Sequence, residues 1–146
     1  MFHLVYTSHA IIPFSQKELL GLLKQSRAYN MENDITGMLL YLEGKFIQVL
    51  EGRKNAVLSL FDKIKKDLRH ERVRTIIQGM PEKRVFKNWS MGFKRTSYSE
   101  FTKITGFKDI DIFFDEQKSK KNDNLLLVFL EIFYNQNIVD YSEPLH

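Results

Sequence analysis

The sequence predicts an α+β fold in which one mixed sheet carries two helices on one face and a helical tail on the other. Three observations carry this. Two β-rich runs fold back on each other across Glu43-Gly44, a capping box opens a helix at Ser15, and apolar residues recur at helical spacing from Val57 to Leu68. The hairpin is the centre of the pattern. Its runs, Ile35 to Leu42 and Lys45 to Gly52, are joined by a short connection of the kind that pairs two strands antiparallel. In the second run Phe46, Gln48 and Leu50 share one face, and Lys45, Ile47 and Val49 the other. Gln48 is therefore a primary amide among large apolar residues. Burying it costs on the order of a few kcal/mol unless its donors and acceptor find partners, either inside the protein or on a polar ligand.

The remaining elements follow in order. Phe2 and Leu4 to Thr7 form a first strand, ended by the polar Ser8-His9 and by Pro13. Ser15 and Glu18 then match a capping box, in which the hydroxyl takes an orphan amide and the glutamate reaches back. Leu19, Leu22, Leu23 and Ser26 continue at helical spacing to about Tyr29-Asn30, before the turn at Glu32-Asn33-Asp34. After the hairpin, Val57, Phe61, Ile64 and Leu68 mark a second amphipathic helix with its lysines outward. Val73 to Met80 is a further strand, Pro81 opens a basic loop, and Asn88 to Arg95 is the last strand, with Trp89, Met91 and Phe93 on one face. The order βαββαββ, closed by right-handed crossovers, is the ferredoxin-like arrangement with both helices on one face. Two apolar sets are expected to cover the other face as helices. These are Phe101, Ile104 and Phe107, and then Leu125 to Phe133, which Asn122 or Asp123 would cap. The charged stretch from Asp115 to Asp123 reads as the link between them. Residues 1–96 are thus expected as the core domain and 97–146 as its helical extension.

Composition narrows the function. At 146 residues and 43% apolar, the chain suits one hydrophobic core. The absence of cysteine removes disulfides, thiol catalysis and thiolate metal sites, and suits a reducing cytoplasm. No basic-then-apolar leader opens the chain, and the run from Leu125 to Leu130 is far too short to span a bilayer. The net charge of +4 is spread over Lys63 to Arg69, Arg72-Arg74, Lys83-Arg84 and Lys118 to Lys121, which reads as solvated surface and not as a nucleic-acid footprint. The histidines, His3, His9, His70 and His146, show no metal spacing, and the hydroxyls of Ser8, Thr36 and Ser90 have no evident activating base. Hydrolysis is not expected.

What remains is a set of polar and redox-capable groups that this topology brings together: Tyr6, Gln48, Trp89, Met91 and Asn30. Taken singly, each has a plain packing role. Together with their neighbours they do not. Leu4-Val5-Tyr6-Thr7-Ser8, Tyr29-Asn30, Ile35-Thr36-Gly37-Met38-Leu39-Leu40-Tyr41, Phe46-Ile47-Gln48-Val49-Leu50-Glu51-Gly52, Asp67-Leu68-Arg69-His70 and Asn88-Trp89-Ser90-Met91-Gly92-Phe93 closely resemble the BLUF family, the blue-light sensors using flavin. The resemblance runs from residue 2 to about 95, and the short helical tail is similar to that of stand-alone members.

The resemblance implies an oxidised flavin between the two helices, FAD in the first place, with FMN or riboflavin as alternatives. Its ring edge would face Tyr6 and Gln48, and Asn30 would hold the carbonyl and imide edge. Ile35 would be a further flavin contact, and Arg69 and His70 would lie near the ribityl chain or far ring edge. Tyr6, Gln48, Trp89 and Met91 are the implied photoactive set. The phenol gives an electron and, by way of the amide, a proton, and recombination leaves Gln48 rotated or tautomerised. Tyr29 stands where family members often carry His or Asn. The implied protein is a cytoplasmic, non-enzymatic photoreceptor acting on a downstream protein. Self-association through the aromatic tail is expected, and binding to nucleic acid or membrane is not. The alternative from a different class is an RNA-binding module of the same topology, which would stack bases on the open sheet face. An acylphosphatase-like hydrolase would need a phosphate-binding Arg loop after the first strand, and none is present.

Overall fold

The computed structural model describes residues 1–87, residues 90–120 with side chains through Glu116, and Val128. In chain order the elements are β1 (Phe2–Ala10), α1 (Gln16–Glu32), β2 (Thr36–Leu42), β3 (Lys45–Gly52), α2 (Lys54–Lys65), β4 (His70–Gly79), β5 (Gly92–Thr96), α3 (Tyr98–Thr105) and α4 (Ile110–Lys120). The capping box forms as the sequence predicts: Ser15 Oγ accepts the Glu18 amide at 3.2 Å, and Glu18 Oε1 accepts the Ser15 amide at 3.0 Å. The hairpin turns with both central residues left-handed, Glu43 at φ 48° and Gly44 at φ 92°. A turn of that hand matches the twist of the strands it joins, and only the glycine adopts it without steric cost.

The strands assemble in the order β4-β1-β3-β2-β5, with β2 and β5 parallel and the other neighbours antiparallel. This is the ferredoxin-like α+β arrangement with one added edge strand. The two faces divide as the alternation in β3 requires. Tyr6, Leu39, Phe46 and Leu50 pack with Leu19 and Leu23 of α1 and with Val57 and Phe61 of α2. Val5, Met38, Leu40, Ile47 and Val49 pack on the opposite side beneath Phe101 of α3 and Phe113 and Phe114 of α4. Each of those rings contributes roughly 2 kcal/mol relative to exposure, so α3 and α4 are part of the core and not an appendage. Two ion pairs join α4 to the sheet: Lys45 of β3 with Asp111, and Arg74 of β4 with Asp115. The Lys45 side chain is nearly fully buried, its stem covering apolar surface while its ammonium meets the more exposed carboxylate.

Three expectations are corrected and a fourth lies outside the described residues. Leu68 is 88% exposed, because α2 ends at Lys65 and the chain turns through Asp67, whose Oδ1 accepts the Arg69 amide at 2.9 Å. The last strand begins at Gly92, so Met91 precedes it in a bend; Asn88 and Trp89 lie outside the described residues. The stretch read as a charged link, Asp115 to Asp123, is helix as far as Lys120, because α4 starts before it: Ile110 stands one turn before Phe113 and Phe114, all three fill the open face, and Asp111 and Asp115 reach back to the sheet. The second covering helix, expected at Leu125 to Phe133, falls outside the described residues except for Val128, which packs against that same cluster. Strand and helix ends also run longer than expected, with β1 continuing through Ser8-His9 to Ala10 and α1 reaching Glu32.

Candidate functional site

Between α1 and α2 the sheet face opens into a cleft of about 570 Å³, its open mouth included. Its floor is Tyr6 of β1, Leu39 of β2 and Phe46 and Gln48 of β3, and its helical walls are Leu22, Ser26 and Asn30 on one side and Leu60 and Ile64 on the other. Phe14, Asp67, Arg69 and His70 close the rim. The lining is mostly apolar with a few polar groups on rigid elements, the composition of a small-molecule site.

The polar groups are ordered along one line. Tyr6 and Gln48 lie opposite one another in the antiparallel β1–β3 ladder, and the phenol hydroxyl donates to Gln48 Oε1. On its other side the amide donates from Nε2 to Met91 Sδ at 3.3 Å. Burial first, and then the charge of Asp67, push the Tyr6 phenol above its ordinary 10.0, so the ring is neutral and remains a donor. Gly37 gives this line its room: a Cβ there would stand 1.9 Å from the Val49 carbonyl oxygen and 3.4 Å from the Met91 methyl.

Asn30 sits in the last turn of α1, 1% exposed. Its Nδ2 donates to the Ser90 carbonyl at 2.7 Å, while its Oδ1 is buried with no partner among the described residues. An unsatisfied acceptor of that kind costs about 1–3 kcal/mol unless something in the cleft donates to it. A flavin imide N–H is such a donor, and the apolar walls suit a flat heteroaromatic ring, so the residues present fit that cofactor.

At the rim Arg69 forks onto Asp67, with Nε at 3.0 Å from Oδ1 and Nη2 at 2.6 Å from Oδ2. The guanidinium holds the Asp67 carboxyl down at about 2. Arg69 also lies 5.7 Å from the Phe14 ring centre, at the cleft mouth. His70 joins the rim through both ring nitrogens: Nε2 donates to the Ile64 carbonyl at 2.6 Å, and Nδ1 lies 2.8 Å from Ser8 Oγ. The sequence showed no base beside Ser8, and the structure supplies His70. It does not make Ser8 a nucleophile, because the hydroxyl is fully buried and no substrate can reach it.

The cleft therefore collects Tyr6, Asn30, Gln48, Arg69 and His70, with Met91 touching Gln48 from behind. Ile35 does not reach the cleft wall. It is buried behind Asn30, whose carbonyl accepts the Ile35 amide at 2.9 Å. Trp89 falls outside the described residues. Sequence reasoning missed the cleft roles of Phe14, Leu22, Leu60 and Asp67, whose spacing marks them only as core or turn. No group of three metal-ligating side chains occurs among the described residues, and no helix among them is long and apolar enough to cross a membrane. The face on which an RNA module would stack bases is closed by Phe101, Phe113 and Phe114.

Comparison with known proteins bears on this arrangement. A family profile described as "Sensors of blue-light using FAD" (BLUF) matches residues 1–92. The chain is 41% identical over 83 residues to the photoactivated adenylate cyclase subunit alpha of Euglena gracilis, a match over 57% of this chain but 8% of that protein. Among solved structures, BlsA in its ground state superposes with a TM-score of 0.70 at 26% identity, covering 94% of this chain and 93% of BlsA. The dark-state structure of the BLUF protein BlrB shares the fold with a TM-score of 0.69 at 22% identity, covering 92% and 96%.

Proposed function

The chain belongs to the BLUF family of blue-light flavin sensors, and from that premise we propose how its residues carry the response: Tyr6 as donor of an electron and a proton, Gln48 as the switch, and Met91 as the group that registers the switch. The observation that carries this reading is the hydrogen-bond line Tyr6–Gln48–Met91 at the floor of a cleft with an orphan acceptor on Asn30. Bound flavin supplies the absorption of blue light and an excited state that readily takes an electron. Asn30 and Gln48 would hold its polar edge, Leu22, Leu39, Leu60 and Ile64 would flank the ring, and Arg69 and His70 would stand at the mouth.

Tyr6 is suited to its role because its proton already points at an acceptor. A phenol that loses an electron becomes strongly acidic, and Gln48 Oε1 is placed to take that proton and return it. The amide returns rotated or tautomerised. Rotation brings Nε2 to the Tyr6 oxygen and turns Oε1 toward Met91 Sδ, where one acceptor then faces another and the hydrogen bond to sulfur is lost. Such a bond is worth about 1 kcal/mol net, so the signal is a bias on a nearly balanced segment and not a large driving force. Met91 leads directly into β5, and β5 into α3, which gives the bias a covalent route to the helices on the far face. Trp89 keeps its proposed part in the same segment on the family resemblance alone.

The chain spans less than a tenth of the Euglena gracilis cyclase subunit, so nothing about a cyclase carries over to it. We read the output as passing to a separate protein in the cytoplasm, with no enzymatic activity in residues 1–146 and with self-association through the aromatic tail. FAD is the favoured cofactor, and FMN or riboflavin would meet the same cleft. Light-minus-dark infrared spectra of protein labelled with nitrogen-15 in its glutamine side chains test the assignment. A label-sensitive amide band that vanishes in Gln48→Leu supports it, and a band that survives that substitution refutes it.

A further inference from the structure

The connection from β4 to β5 begins behind the sheet and ends in front of it. Phe86 is buried in the core beneath α3 and α4, whereas Met91, five residues on, is buried on the cleft side against Gln48. The cleft end is held from α1: Asn30 Nδ2 donates to the Ser90 carbonyl at 2.7 Å, and Arg27 Nε to the Met91 carbonyl at 3.0 Å. The far end is held by Glu51 of β3. This carboxylate is fully buried and accepts the Val85 amide at 2.6 Å and the Phe86 amide at 2.8 Å. Thr36 Oγ1 donates to it at 3.3 Å and in turn accepts from Arg84 Nη1 at 3.0 Å, while Arg84 Nη2 reaches the Asp34 carbonyl at 2.9 Å and the Asp34 carboxylate at 3.1 Å.

A buried carboxylate on a strand is costly, and this one adds nothing to the ladder that an apolar side chain would not add. Burial pushes the Glu51 carboxyl above its ordinary range, and the Val85 and Phe86 amides, the Thr36 hydroxyl and Arg84 offset only part of that rise. What the carboxylate alone can do is take two consecutive backbone amides of the connection at once. An amide side chain has one oxygen and an N–H₂ that would face an N–H.

We infer that Glu51 is a positioning residue of the photoresponse: by clamping Val85 and Phe86 behind the sheet it fixes where the connection turns to the cleft side, and so sets the Met91 sulfur against Gln48. Arg84 and Thr36 complete the clamp. The inference rests on the reading of Gln48 and Met91 as the switch and its neighbour. It adds a residue on the opposite sheet face that touches neither the cleft nor the flavin site. Glu51 and Gln48 are on one strand, so clamp and switch share a rigid frame.

The test uses the full chain loaded with flavin, with carbon-13 in its methionine methyls. In Glu51→Gln, flavin uptake is expected to remain while the Met91 methyl resonance is displaced and the dark-recovery rate changes at least threefold. Wild-type recovery together with a wild-type Met91 resonance would overturn the inference even if the melting temperature falls, since a merely structural role predicts that combination. Should Glu51→Gln fail to fold, Thr36→Val removes one bond of the clamp and decides by the same two readouts. A wild-type protein that gives no light-induced shift would instead sink the underlying reading of Gln48, an outcome visible before any Glu51 variant is made.

Discussion

The hydroxyl of Tyr6 on β1 donates to the side-chain oxygen of Gln48 on β3, across a pair of residues set directly opposite in the antiparallel ladder. The relationship belongs to the backbone as much as to the side chains. A one-residue slip of register would turn one partner to the other face and break it. The sheet therefore fixes the phenol and the amide against each other before any ligand arrives.

Met91→Leu keeps the volume beside Gln48 and removes the sulfur that accepts its N–H. That arrangement loses about 1 kcal/mol, and the rotated amide no longer faces a second acceptor. The light-induced shift is expected to survive, with dark recovery up to about fivefold slower. Flash photolysis with absorbance recovery reads this directly, and recovery at the wild-type rate would remove Met91 from the switch.

Asn30→Ala deletes the orphan Oδ1 and the tie to Ser90 in one step. One neutral hydrogen bond of about 1 kcal/mol and a loosened wall together predict flavin binding weaker by roughly tenfold. Fluorescence titration with FAD measures it. Unchanged affinity and an unchanged flavin spectrum would take Asn30 out of the site.

Alkaline pH probes Tyr6 from the folding side. The folded phenol is raised above 10.0, and the unfolded one is not. Below about pH 10 both states keep the proton and the contribution is fully present. Above it the unfolded chain releases a proton that the fold retains, so stability falls with pH at about 1.4 kcal/mol per unit for this one group. Melting curves from pH 8 to 11 should fall less steeply for Tyr6→Phe than for the wild type. Parallel slopes would mean that Tyr6 titrates as an ordinary exposed tyrosine.

The fold was legible because its local signals agree. The capping box, the Glu43-Gly44 turn and the alternation in β3 each specify one structure, and they specify the same one. Two misreadings have a common cause. Leu68 stands one helical step after Ile64, and Ile110 stands one turn before Phe113 and Phe114, beside a run of charges. In both cases the deciding factor is tertiary. The bonds between Asp67 and Arg69 go with a turn before Leu68, and the partners of Asp111 and Asp115 lie on strands far away in sequence. Among the residues lining the cleft, Gln48 is legible as an amide at odds with its neighbours and Tyr6 only through the family resemblance, whereas Phe14 and Leu60 are illegible because their apolarity matches their surroundings. Glu51 shows the same limit: nothing in sequence separates a surface glutamate on a strand from one that holds two amides in the core.

The central claim is that Tyr6 and Gln48 convert light into a changed hydrogen-bond arrangement around an oxidised flavin. Visible absorption spectra of the flavin-loaded wild type and of Tyr6→Phe, before and after blue light, test it most directly. The account predicts a flavin band that moves slightly to the red and recovers in the dark without bleaching in the wild type, and a bound but unshifted band in the variant. A normal, reversible shift in Tyr6→Phe would contradict it.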